Sequence, residues 1–185
     1  MTAGVARLAL GVAMLGIAAP VSFHPDYPPT AHTGGFGEPT CIECHTGGAL
    51  NTPGGSLRLE GLPSRWRPGA SYAIAVIMRR DSLTRAGFEL SARFADGRQA
   101  GTLAAVDSLR VTITRDSTSG LPYAHHTRDG TRGWSGEARW PVRWVAPATG
   151  HGDVLLHAAS VASNDDDSNL GDLVFTAAAR VRSPH

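Results

Sequence analysis

The chain contains no lysine. Its seventeen basic side chains are all arginine, set against sixteen acids, and the net charge is +1. A balance this close to zero removes any strong electrostatic pull toward nucleic acid or an anionic membrane. Cysteine is nearly absent, with two in 185 residues, so no disulfide framework can hold the fold. Methionine is as scarce: after Met14 the only one is Met78. No serine sits in a glycine-flanked nucleophile elbow, and no Walker or Rossmann phosphate cradle is present. Hydrolase-triad and nucleotide-site chemistry therefore find no footing.

Long apolar runs are also few. Arg7 is the only charged side chain before Asp26, and Leu8 to Ala19 is apolar throughout. That length suits the core of a secretory signal. It falls short of a membrane span, which needs about 20 apolar residues. Residues 1–22 read as a signal peptide, although Pro20 disturbs the small-residue cleavage pattern. No cysteine stands at a lipidation position. The expected protein is exported, periplasmic or at the outside of a bacterial cell, with no integral membrane segment after cleavage. About 160 residues then remain, enough for one domain with a fair core.

The two cysteines stand together, in Cys41-Ile42-Glu43-Cys44-His45. This is C-x-x-C-H, the attachment sequence of c-type haem. Two thiols three positions apart can each add to one vinyl group of a porphyrin. The following histidine then falls under the ring as the proximal iron ligand. Rival readings are weaker. A redox disulfide of the C-x-x-C kind belongs in a βαβ context, whereas this motif is flanked by Gly34, Gly35, Gly37, Pro39, Gly47 and Gly48. A zinc site would want a second spaced pair of ligands. Covalent haem is attached outside the bacterial cytoplasm, so motif and export signal support each other.

Two parts follow along the chain. Residues 23–55 are rich in glycine, proline and threonine with little apolar periodicity, and form a haem-binding leader. So few apolar side chains cannot fold alone, so the porphyrin is expected to supply the missing apolar surface. Residues 56–182 read as short strands broken by turns. Tyr72, Ile74, Val76 and Met78 alternate, as do Phe88, Leu90, Ala92 and Phe94, and Trp140, Val142 and Trp144. Further strands are expected over 56–62, 109–114, 154–161 and 173–181. Seven or so such strands predict an all-β fold, an antiparallel β-sandwich.

The ordered landmarks resemble bacterial reeler-like domains (Reelin-type, or choice-of-anchor V) that carry one C-x-x-C-H. They are His32 to His45, Pro68-Gly69-Ala70-Ser71-Tyr72, Gly87-Phe88-Glu89-Leu90, Ala100-Gly101, Tyr123-Ala124-His125-His126-Thr127, Trp140 to Pro147, and Asn164 to Asp172. The resemblance covers roughly residues 30–178. It implies an immunoglobulin-like sandwich and says little about function, since one fold hosts many jobs.

The sixth iron ligand decides much of haem chemistry. Met78 sits at an inward strand position and reads as core. Among the histidines, His126 is the first candidate, because the resemblance implies that its position lies near the leader. His32 is the fallback, since the glycine-rich stretch to Cys41 can fold back over a ring; His125 comes after it. His157 reads as a half-buried strand residue, and His24, His151 and His185 lack supporting context. Asp165, Asp167 and Asn169 have the alternate spacing of a calcium loop, but a solvated loop fits Asn164–Asp172 better. Trp134, Trp140 and Trp144 could gather as a conducting cluster, with sandwich core the plainer reading for the last two. The expected function is a monohaem c-type cytochrome passing single electrons to a redox partner protein, a carrier rather than an enzyme. The alternatives are a surface adhesion module with a structural haem, or a five-coordinate haem sensor. Pairing of copies as a homo-oligomer stays open.

Overall fold

A computed structural model of the chain describes residues 28–150 and 152–184. The expected signal peptide and His24, His151 and His185 lie outside the described residues. Among those described, nine strands form: β1 (Gly55–Glu60), β2 (Ser71–Arg80), β3 (Arg85–Phe94), β4 (Thr102–Ala105), β5 (Val111–Arg115), β6 (Pro122–His126), β7 (Glu137–Val145), β8 (Val154–Ser163) and β9 (Leu173–Val181). They make two antiparallel sheets, ordered β1-β2-β7-β4 and β5-β6-β3-β8-β9. The expected sandwich is present. No helix of the described residues is long and apolar enough to cross a membrane.

Alternation along the strands builds the core. Ile74, Val76 and Met78 of β2 and Trp140, Val142 and Trp144 of β7 face Phe88, Leu90 and Ala92 of β3 and Leu156 and Ala158 of β8. Phe88 stacks on Trp140 with ring centroids 4.6 Å apart, a contact worth about 0.5–1.5 kcal/mol beyond the area it buries. Buried indoles need acceptors; Trp140 Nε1 donates to the Gly130 carbonyl at 2.8 Å and Trp144 Nε1 to that of Ala100 at 2.9 Å. Met78 is wholly inside this core. Trp134 is 85% exposed, so the three tryptophans do not gather.

The other face of β3 presents Glu89, Ser91 and Arg93, and all three are buried. They are covered because residues 28–54 cross this face of the five-stranded sheet. The leader has protein contacts of its own. The His32 N–H donates to Glu89 Oε2 at 2.6 Å, Thr30 Oγ1 donates to Asp116 at 2.9 Å, and the Asn51 side chain brackets Thr176 on β9.

Candidate functional site

The leader reaches the sheet through a tight loop. Thr33 and Thr40 pair as an isolated antiparallel bridge, with the Gly34 N–H on the Pro39 carbonyl at 2.9 Å. Glu38 folds back under this loop. One carboxyl oxygen accepts from Thr33 Oγ1 at 2.6 Å; the other takes the Tyr123 hydroxyl and the Arg93 guanidinium. Arg93 lies 4.8 Å over the Phe36 ring and 5.3 Å from that of Tyr123. Burial works to raise the Glu38 carboxyl, but the donors Thr33, Tyr123 and Arg93 outweigh it and hold the group below its usual range.

The C-x-x-C-H residues follow at once. Thr40 caps a single 3-10 turn over Cys41–Glu43, its Oγ1 accepting from the Ile42 N–H at 3.3 Å. The His45 N–H closes the turn on the Cys41 carbonyl at 2.9 Å. The β8–β9 loop then holds the motif from the far side. The Thr46 N–H donates to the Asn169 carbonyl at 3.0 Å, and the Asn169 amide donates to the Cys44 carbonyl. Asp172, only 1% exposed, accepts from His45 Nδ1 at 2.7 Å. Its second oxygen accepts from the Asn164 N–H at 2.9 Å. Gly47 allows this approach, because a Cβ there would meet the Asp172 carbonyl oxygen at 2.2 Å. A carboxylate can only accept, so Nδ1 carries the ring proton and Nε2 keeps its lone pair when the ring is neutral. Cys41 and Cys44 are not joined to each other. Burial, and after it the Glu89 carboxyl, push the Cys41 thiol up to about 12.

Cys41, Cys44 and His45 line one cleft together with His126, His32, Gly87, Phe88 and Val161. The cleft encloses ≈ 1130 Å³, part of it open to solvent. His126 sits at the end of β6, where pairing with β3 stops at Glu89↔His125. Its ring lies over Gly87, where a Cβ would be 2.5 Å from Cε1. Burial pushes this imidazole down to about 4, and the charges of His125 and His45 add to the effect. It is therefore neutral near pH 7, as a metal-binding imidazole must be. Its Nδ1 lies 3.0 Å from the Phe88 N–H nitrogen and 3.3 Å from the Phe88 carbonyl oxygen. His32 donates Nδ1–H to the Thr30 carbonyl at 2.9 Å, while its Nε2 is 3.4 Å from Glu43.

His125 does not reach the cleft. Both histidines belong to β6, and the His125 ring turns toward β5. There its Nε2 meets Thr114 Oγ1 at 2.6 Å, fully buried. His157 lies under the leader, edge-on to Phe36 at 5.2 Å. The acidic loop does not converge on a cation position: Asp165 pairs with Arg85 at 2.7 Å, Asp166 caps the Ser168 N–H, and Asp172 turns inward to His45.

Among solved structures, the chain is similar to the Reelin-N domain of F-spondin. The TM-score is 0.52 at 23% identity, over 75% of this chain and 94% of that one. It is also similar to the human F-spondin reeler domain, with TM-score 0.49 and 23% identity, over 73% and 94% of the two chains. The fold is reeler-like. No protein-family model and no curated protein matches the chain. Within this reeler-like sandwich, Asp172 is the site residue that sequence reasoning missed. Its signal was slight: it is the one acid of its loop placed directly before the buried run of β9.

Proposed function

We propose that the chain is an exported monohaem c-type cytochrome that carries single electrons to a redox partner protein. Haem c would be bound covalently by Cys41 and Cys44, with His45 Nε2 as proximal ligand and His126 as sixth ligand. One observation carries this reading: the three motif residues share an apolar cleft with a neutral histidine brought in from β6. The bound group supplies an iron that takes up and releases one electron. The chain's own residues hold it, orient His45 through Asp172, and wall the cleft with Gly87, Phe88 and Val161. Among the described residues no group of three or more His, Cys, Asp and Glu side chains could hold a metal ion directly.

The leader's own fastening bears on the alternatives. Glu38, Arg93 and Tyr123 tie it down away from the cleft, so a haem that served only as a staple would duplicate them. A five-coordinate site has one observation in its favour. If His126 Nδ1 accepts the Phe88 N–H, the ring proton moves to Nε2, which then has no lone pair for iron.

The deciding measurement is a pyridine haemochrome spectrum of protein made with a c-type maturation system, after acid–acetone extraction of loose haem. A retained c-type band is expected; a colourless protein with two free thiols overturns the proposal. In the loaded protein, His126→Ala should convert a low-spin spectrum to one that binds carbon monoxide, while His32→Ala leaves it unchanged. Carbon monoxide binding by the unaltered protein selects the five-coordinate reading instead.

A further inference from the structure

We propose that Asp172 is the positioning residue of this site. Its buried carboxylate fixes the His45 ring with the proton on Nδ1, and with iron at Nε2 it makes His45 a more basic ligand that lowers the reduction potential. The second half of this inference rests on the haem reading; the first half does not. The arrangement is specific. Asp172 is 1% exposed, and each of its oxygens faces one donor, His45 Nδ1–H at 2.7 Å and the Asn164 N–H at 2.9 Å. Neither donor belongs to an arginine, so no cation competes with His45 for the charge. The contact spans 127 positions of sequence, and Gly47 is needed for it. Partners of a ligating imidazole set its tautomer and its basicity, and a carboxylate raises that basicity. A more basic imidazole favours ferric iron over ferrous, so the potential falls.

Two measurements test the two halves. In the haem-free chain with both thiols reduced, nitrogen NMR of the imidazoles above pH 8 should show His45 protonated on Nδ1. A proton on Nε2 would overturn the proposal without any variant being made. In the loaded protein, Asp172→Asn keeps the size of the side chain and an acceptor but removes the charge. Its midpoint potential should rise while the c-type band is retained. An unchanged potential in a protein that keeps its haem overturns the second half and leaves the cytochrome reading standing. Failure of the unaltered chain to take up haem removes the cytochrome reading, while the NMR result still decides the tautomer.

Discussion

At position 47 a Cβ would sit 2.2 Å from a backbone oxygen, whereas at position 87 it would sit 2.5 Å from the edge of a histidine ring. The difference predicts different outcomes. In Gly47→Ala the backbone of the β8–β9 loop has to move, at a cost of roughly 1–3 kcal/mol for an overpacked contact. Urea unfolding should show that loss, and the Nδ1 proton of His45 should exchange rapidly with solvent. In Gly87→Ala the buried His126 ring has to move off its Nδ1 contact with the Phe88 N–H, at a cost of roughly 1–3 kcal/mol. The loaded protein should take on the spectrum of His126→Ala. A Gly87→Ala protein with the unaltered spectrum would show that the ring over Gly87 is not the ligand. At this scale the C-x-x-C-H pattern was visible because its residues are adjacent in sequence. Asp172 was not, because nothing in its own neighbourhood marks a carboxylate whose partner lies on the far side of the fold.

The elements divide in the same way. Strands with one apolar face against polar neighbours, such as β2 and β7, declare themselves by alternation. The four residues of β4 are too few for a pattern. In β6 every residue from Pro122 to His126 is buried, so Tyr123 and His125 sit on a covered face. The covering element is the leader, which has few apolar side chains and docks through Glu38 against Arg93 and Tyr123 and through Phe36 against His157. The side chains of Arg93 and Glu38 are 7% and 10% exposed. Removing one partner of a pair buried this deeply costs about 3–5 kcal/mol. Arg93→Ala should therefore destabilise the chain by roughly that amount. Hydrogen exchange should show protection lost over residues 30–40 and along β6, with β2 and β7 less affected. Equal loss across both sheets would mean that Arg93 supports the sandwich as a whole and not the docking of the leader.

For the molecule as a whole, covering a polar face places two titratable groups where each prefers to be neutral, and their effects on stability oppose each other. Burial pushes the Glu89 carboxyl up to about 8, against the backbone N–H of His32 that favours its charge. From its ordinary 4.5 up to that value the folded chain holds a proton that the unfolded chain has released. Stability therefore falls as pH rises through this window, by at most about 5 kcal/mol at 1.36 kcal/mol per pH unit. His126 runs the other way. Its imidazole is lowered from 6.5 to about 4, so between those values the unfolded chain holds the extra proton. Stability then falls as pH drops, by roughly 3 kcal/mol, and burial shifts His125 and His157 in the same direction. Where the windows overlap the three histidines together oppose and exceed the Glu89 slope, and above pH 6.5 the Glu89 slope stands alone. The urea midpoint of the haem-free chain should thus not fall between pH 5 and 6.5 and should decline from 6.5 to 8. Glu89→Gln should abolish that decline and uncover the histidine slope below pH 6.5. A midpoint that holds constant from pH 6.5 to 8 in the unaltered chain would mean that Glu89 is ionised in the folded state, with its second oxygen reached by water.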